Sequence, residues 1–153
     1  MDIYEKLEQM QLTLPPVPPE GGTYSPTKRL NGTSVFVSGC GPVIDGPVRG
    51  RLGKDVSVEA GQDYARNCML NVLSVLQAGI GDLRKIKSVA KILTFVQCTE
   101  DFEQQASVAN GGTQLLVDLL GASVGLPARS AIGVYALPGG IPVETEAIFE
   151  IAE

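Results

Sequence analysis

Histidine and tryptophan are both absent from this sequence of 153 residues. Without histidine no side chain titrates near neutral pH at its ordinary pKa, and the commonest transition-metal ligand is missing. Ser-His-Asp and Cys-His nucleophiles, His-paired ribonuclease chemistry and most zinc chemistry are thereby excluded. Cysteine is sparse as well: Cys40, Cys68 and Cys98 are an odd set with no Cys-x-x-Cys pair. The sequence does not open on a basic segment followed by an apolar signal core, and the expected location is a reducing cytoplasm. No apolar run approaches the ~20 residues of a membrane-spanning helix, so no membrane partner is expected.

Positive charge is also in deficit, with 12 Lys and Arg against 17 Asp and Glu, a net charge of −5. The mean field therefore repels phosphate backbones, and a nucleic-acid role would need a local basic patch. Lys28 with Arg29, Arg49 with Arg51, and Arg84, Lys85 and Lys87 are short clusters that read as solvated turns or strand edges. What remains is an ordinary globular composition, 44% hydrophobic and 19% charged, long enough for one core. Residues 1–22 read as a short helix and a Pro-rich lead, and residues 23–153 as a single domain.

Ile3, Leu7 and Met10 stand at helical spacing among charges, and Pro15, Pro16, Pro18 and Pro19 stop that helix. Tyr24 to Leu30 and Thr33 to Ser38 are strand-like and meet at Asn31-Gly32, a step suited to a type I′ hairpin turn. Gly39 to Gly53 reads as a loop. From Ser57 to Ala78, Ala65, Cys68, Met69, Val72 and Leu76 repeat on a helical period, with Ser57 as N-cap and Gly79 as the stop.

Ile86 to Val96 reads as a strand inside a sheet. A second helix is expected from Asp101, with Gln104 in a capping box, to Gly121, its Gly111-Gly112 pair a weak point. Ser130 to Leu137 and Pro142 to Ile151 read as two strands joined around Pro138-Gly139-Gly140. The resulting order is ββαβαββ, an α+β fold with two helices on one face of a mixed sheet. On the last strand Val143, Thr145, Ala147, Phe149 and Ile151 share one side, while Glu144, Glu146, Ile148 and Glu150 share the other, which is left to solvent or to other subunits.

The segment Leu126-Pro-Ala-Arg-Ser-Ala-Ile-Gly-Val-Tyr-Ala-Leu-Pro138, followed by Val143-Glu-Thr-Glu-Ala-Ile148, resembles the C-terminal signature of the Rid (reactive intermediate deaminase) family. Tyr24, Val37-Ser-Gly39 with Pro42, Asn71-Val72 and Asp101-Phe102 match in the same order. The N-terminal helix, the Pro-rich lead and Asn110-Gly-Gly112 look like a longer Rid-like subfamily often labelled endoribonuclease L-PSP. The resemblance implies a chorismate-mutase-like fold, a homotrimeric barrel with clefts between neighbouring chains, and no cofactor or metal bound by the chain.

It also implies site residues. Arg129 matches the Arg that binds a substrate carboxylate, a task suited to a guanidinium fork; its structural alternative is a salt bridge to Glu144 or Glu146. Glu144 matches the Glu that positions a water, Tyr24 an aromatic closing over the cleft, and Ser38 and Gly39 the loop lining it. The family often carries Cys two residues after the Arg; here Ala131 stands there, so only its backbone can contribute. The implied activity is hydrolysis of a 2-aminoacrylate or 2-iminobutanoate type enamine or imine to a 2-keto acid and ammonia. The alternatives are a trimer that binds a small carboxylate metabolite without turnover, and a ribonuclease or translation inhibitor, against which the acidic charge and missing histidine argue.

Overall fold

The computed structural model describes all of residues 1–153. It opens with helix α1 (Ile3–Gln9), whose N-cap Asp2 and Glu5 form a reciprocal capping box. Strands β1 (Thr27–Leu30) and β2 (Ser34–Cys40) form the expected hairpin. Asn31 and Gly32 both take positive φ, 52° and 77°, as a type I′ step requires, but Leu30 pairs with Ser34, so the turn spans three residues and the second strand starts one residue later than Thr33. The first strand starts three residues later than Tyr24, since Ser25 and Pro26 instead bond to Ser38.

Helix α2 (Val58–Ile80) is capped by Ser57, whose side chain accepts from the Ala60 amide. The helix does not stop at Gly79; it ends at Gly81, which takes φ 85°. Gly79 serves packing instead, because a Cβ there would lie 2.6 Å from Thr27 Oγ1. Strand β3 (Ile86–Gln97) follows a short 3-10 turn at Leu83–Lys85. Helix α3 (Gln105–Leu120) begins later than Asp101 and without the expected capping box: Gln104 makes no side-chain cap bond, and Asp101 accepts from Thr99 Oγ1. The Gly111-Gly112 pair is where α3 meets α2, with a Cβ at Gly111 placed 2.0 Å from the Gln62 carbonyl oxygen. A sequence pattern that reads as helical weakness is thus a close approach of two backbones.

A single-turn helix α4 (Ala122–Gly125) leads into β4 (Ala128–Val134), and β5 (Val143–Ile151) completes the chain. The last two strands do not pair with each other. The sheet order is β1-β2-β5-β3-β4, with β4 parallel to β3 at one edge and β5 antiparallel between β2 and β3. Going from β4 to β5 therefore means passing over β3, a task for the Pro138–Gly140 turn and the segments around it.

Helices α2 and α3 cover one face of the sheet. Val143, Thr145, Ala147, Phe149 and Ile151 are buried beneath them, and Phe149 is fully buried. Burying such a side chain contributes about 1.5–3 kcal/mol, so this alternation fixes the register of the central strand. Ile3 and Leu7 belong to the same core, so α1 is docked onto the domain. Tyr4 reinforces this by accepting from the Leu83 amide and from Gln77 Nε2. The opposite face carries Phe36, Ile148, Glu146, Glu144, Phe95 and Ile132, of which Phe36 and Ile132 are exposed.

Candidate active site

Glu144 is the second residue of β5, opposite Phe95 and on the face away from the helices. Next to it β2 changes register between Val37 and Cys40, a bulge that lifts Ser38-Gly39 out of the ladder. Gly39 thereby packs directly on the carboxylate: a Cβ at this position would sit 2.9 Å from Glu144 Cδ. The glycine gives the Glu144 side chain its place. Ser38 is tied down at both ends, its hydroxyl donating to the Ser25 carbonyl at 2.7 Å and its amide to the Pro26 carbonyl at 2.9 Å.

Those bonds bring Tyr24 alongside. Its hydroxyl accepts from the Gly21 amide at 3.2 Å, and its ring lines a cavity of about 460 Å³ together with Ser38 and Gly39. Asn67 and Asn71, one helical turn apart on α2, hold the loop beyond. Asn71 Nδ2 donates to the Gly41 carbonyl at 3.0 Å, and Asn67 Oδ1 accepts from the Val43 amide at 2.7 Å. Asn71 is recognisable in the sequence as a motif position, but Asn67 is not; an Asn pair at i, i+4 on the helix was the available signal.

The electrostatics of this half follow from burial. Glu144 is half-buried, and desolvation, followed by repulsion from Glu146, holds its carboxyl above the usual range. Burial, with Glu144 adding to it, pushes the Cys40 thiol up to about 12, so Cys40 is a neutral wall.

Arg129 lies elsewhere. It is the second residue of β4, opposite Ile92, and points to the helical side, where its Nη1 donates to Asn110 Oδ1 at 2.7 Å and to Thr113 Oγ1 at 3.2 Å. No carboxylate lies within 4.0 Å of it, since the ion pairs of the chain are both made by Arg84. Neither Glu144 nor Glu146 of the same chain forms the salt bridge that was the structural alternative. Asn110 and Thr113 are not legible as site residues in the sequence; their i, i+3 spacing puts exposed Asn110 and buried Thr113 on one face of α3, at the edge of its buried side. With Leu126 and Pro127 they line a shallow cavity of about 410 Å³ around the guanidinium. Ala131 is next on the same side of β4, opposite Thr94.

The sequence-derived residues therefore form two groups. Tyr24, Ser38 and Gly39 line one cavity at the end of β2, and Glu144 packs against Gly39 without lining that cavity. Arg129 and Ala131 stand on the edge strand, facing the helical layer, with β3 between them and Glu144. The Glu144 carboxylate can orient water, and the Arg129 guanidinium can bind an anion.

Residues 17–151 match the model of the family described as Endoribonuclease L-PSP. Protein TCP17 of Trypanosoma cruzi is 42% identical over 123 residues, covering 79% of this chain and 77% of that protein. The crystal structure of the protein Atu1372 from Agrobacterium tumefaciens, of unknown function, is similar with 36% identity and a TM-score of 0.87, covering 98% of this chain and 94% of that one. The crystal structure of E. coli TdcF with bound serine is 25% identical with a TM-score of 0.64, covering 89% and 94%.

Proposed function

The chain belongs to the endoribonuclease L-PSP, or Rid, family, and on that premise we propose that it is a hydrolytic deaminase of reactive enamine or imine amino acids, producing a 2-keto acid and ammonia. The observation that carries this reading is the state of Arg129: a guanidinium fixed by two neutral acceptors and paired with no carboxylate of its own chain. Such a fork retains donors for a ligand carboxylate and has already lost part of the entropy that binding would cost. TdcF, which has bound serine, supplies a relative with a ligand of the same class, a small amino acid.

In the proposed site Arg129 of one subunit and Glu144 of another face a shared cleft in a homotrimer. Arg129 holds the substrate carboxylate. Glu144 accepts a hydrogen bond from water and directs its oxygen onto the imine carbon, while the imine nitrogen takes up a proton. In the resulting carbinolamine the hydroxyl proton passes through the Glu144 carboxylate to the amine nitrogen as the C–N bond breaks, leaving the keto acid and free ammonia. An enamine first becomes the imine by protonation at its β-carbon. A carboxylate and water suffice for these steps. The raised pKa of Glu144 suits it to both accept and return a proton.

Binding without turnover is the second reading, favoured by Ala131, which removes the thiol frequent at that family position. An assay generating 2-aminoacrylate in situ separates the two. Accelerated pyruvate release is expected, falling by roughly tenfold to a hundredfold in Arg129→Ala, the value of a lost charge-assisted pair. No acceleration, with Arg129→Ala matching the unaltered protein, would leave the binding reading in place.

A further inference from the structure

Strand β4 runs beside β3 from Arg129, opposite Ile92, to Val134, opposite Gln97. At the Val134 end a cavity of about 730 Å³ opens between the strand ends and the start of α3, with Arg51 and Glu100 in its wall. This volume lies within the roughly 300–1,000 Å³ of small-molecule sites. The cavity shares no lining residue with the cavities at Tyr24 and at Arg129.

Arg51 is fixed by its surroundings. Its amide donates to Asp55 Oδ1 at 2.6 Å, and the next residue, the fully buried Leu52, donates to the Gln97 carbonyl and accepts from the Thr99 amide. From that base Nη1 donates to the carbonyls of Cys98 and Tyr135 at 3.0 and 2.7 Å. Nε and Nη2, the side-on edge of the fork, have no protein acceptor, and no carboxylate lies within 4.0 Å. A guanidinium held in place with one edge unused is prepared for a ligand carboxylate.

The same cavity carries an unpaired charge of the other sign. Glu100 lines it, is exposed and makes no ion pair. Gln105, also in the lining, donates from Nε2 to the Phe102 carbonyl at 2.8 Å, which leaves its Oε1 as an acceptor. Gly133 preserves that amide's place, since a Cβ there would lie 2.9 Å from Gln105 Nε2. Phe102 and Tyr135 add rings to the wall; Tyr135 is 91% exposed, and Arg51 Cζ lies 5.9 Å from its ring centroid. A cation and an anion that line one cavity without meeting are matched by a ligand that carries the opposite pair.

We propose that this cavity is a second ligand site, for an α-amino acid with an aromatic side chain. Arg51 takes the carboxylate, Glu100 and Gln105 Oε1 take the ammonium, and the ligand ring packs on Phe102 and Tyr135. This site does not depend on the deaminase reading.

Cys98 lines the cavity and is partly exposed, so its reactivity reports occupancy. The full chain is titrated with L-phenylalanine, with 3-phenylpropanoate, which lacks the ammonium, and with phenethylamine, which lacks the carboxylate. Calorimetry reads affinity, and the rate at which a thiol reagent labels Cys98 reads location. L-Phenylalanine is expected to bind and to slow labelling, in Arg129→Ala as in the unaltered protein. Phenethylamine is expected to bind about tenfold more weakly, and 3-phenylpropanoate about two- to fivefold more weakly. Arg51→Lys is expected to weaken L-phenylalanine roughly tenfold. Because Arg51 also ties two strand ends, Glu100→Gln, which alters an exposed side chain, is the second variant, with an expected loss of about two- to fivefold. Equal affinity for 3-phenylpropanoate, or affinity unchanged in both variants, overturns the match to an amino acid. No binding, or binding that Arg129→Ala abolishes while Cys98 stays unprotected, overturns the cavity as a ligand site.

Discussion

Arg129 and Glu144 occupy opposite faces of the same sheet with strand β3 between them: Arg129 is paired with Ile92 and bonded to α3, whereas Glu144 is paired with Phe95 on the uncovered side. One chain cannot bring both onto one small ligand. In the proposed trimer, each cleft takes its Arg129 and its Glu144 from different chains.

This makes activity rescue by mixing two inactive variants the sharpest test. Arg129→Ala and Glu144→Gln, each strongly impaired alone, are expected to regain about a quarter of normal activity when co-assembled in equal amounts, the statistical share of clefts with both groups intact in a symmetric ring. No recovery in mixed trimers confirmed by native mass spectrometry would overturn a cleft that takes the two groups from different chains.

The raised pKa of Glu144 has a stability consequence whose sign is definite. A carboxyl with a higher pKa in the folded than in the unfolded chain binds protons more tightly when folded, so stability declines as pH rises from its ordinary 4.5 through the raised value. Glu144→Gln removes that penalty. Its Tm is expected to exceed that of the unaltered protein at pH 7, with the gap closing near pH 4, while turnover is lost at both. A Tm that falls at pH 7 would mean that the carboxylate is a net stabilising group.

Gly111→Ala should act through packing alone. Intrinsic helix propensity favours Ala, but its Cβ would lie 2.0 Å from the Gln62 carbonyl oxygen, and backbone cannot swing aside. A loss of about 1–3 kcal/mol is expected from urea unfolding, the usual cost of overpacking. A gain in stability would show that α2 and α3 separate easily.

Thiol reactivity distinguishes the three cysteines. Cys40 and Cys68 are buried, and burial raises both thiols, whereas Cys98 is partly exposed. Thiolate is the reactive form. Native protein at pH 8 is expected to react with a thiol reagent at Cys98 alone, and at all three positions after unfolding; peptide mapping reads the difference. Rapid labelling of Cys40 would mean that the loop after β2 opens readily.

The proposed site was only partly legible in the sequence. Glu144, Gly39 and Tyr24 could be named from their motifs, and the alternation along β5 placed Glu144 on the side away from the core. Asn110 and Thr113 escaped because their role depends on α3 crossing β4, a contact between segments whose distance in space no periodicity encodes. The capping box expected at Gln104 failed for a local reason: Asp101 is engaged by Thr99, and the helix starts only after that turn.

Short-range chemistry was thus determined by the sequence itself. The Asn31-Gly32 turn, the Ser57 cap, the two long helices and the inward face of β5 each depend on residues within a few positions of one another, where backbone sterics and burial act directly. Tertiary structure alone decided that β5 enters between β2 and β3 while β4 runs parallel at the edge. That choice is a competition among strand pairings with similar local patterns, resolved by how the whole sheet buries its apolar face under α2 and α3. It also separates Arg129 from Glu144, and so turns two neighbouring motifs into the two halves of a proposed cleft between chains.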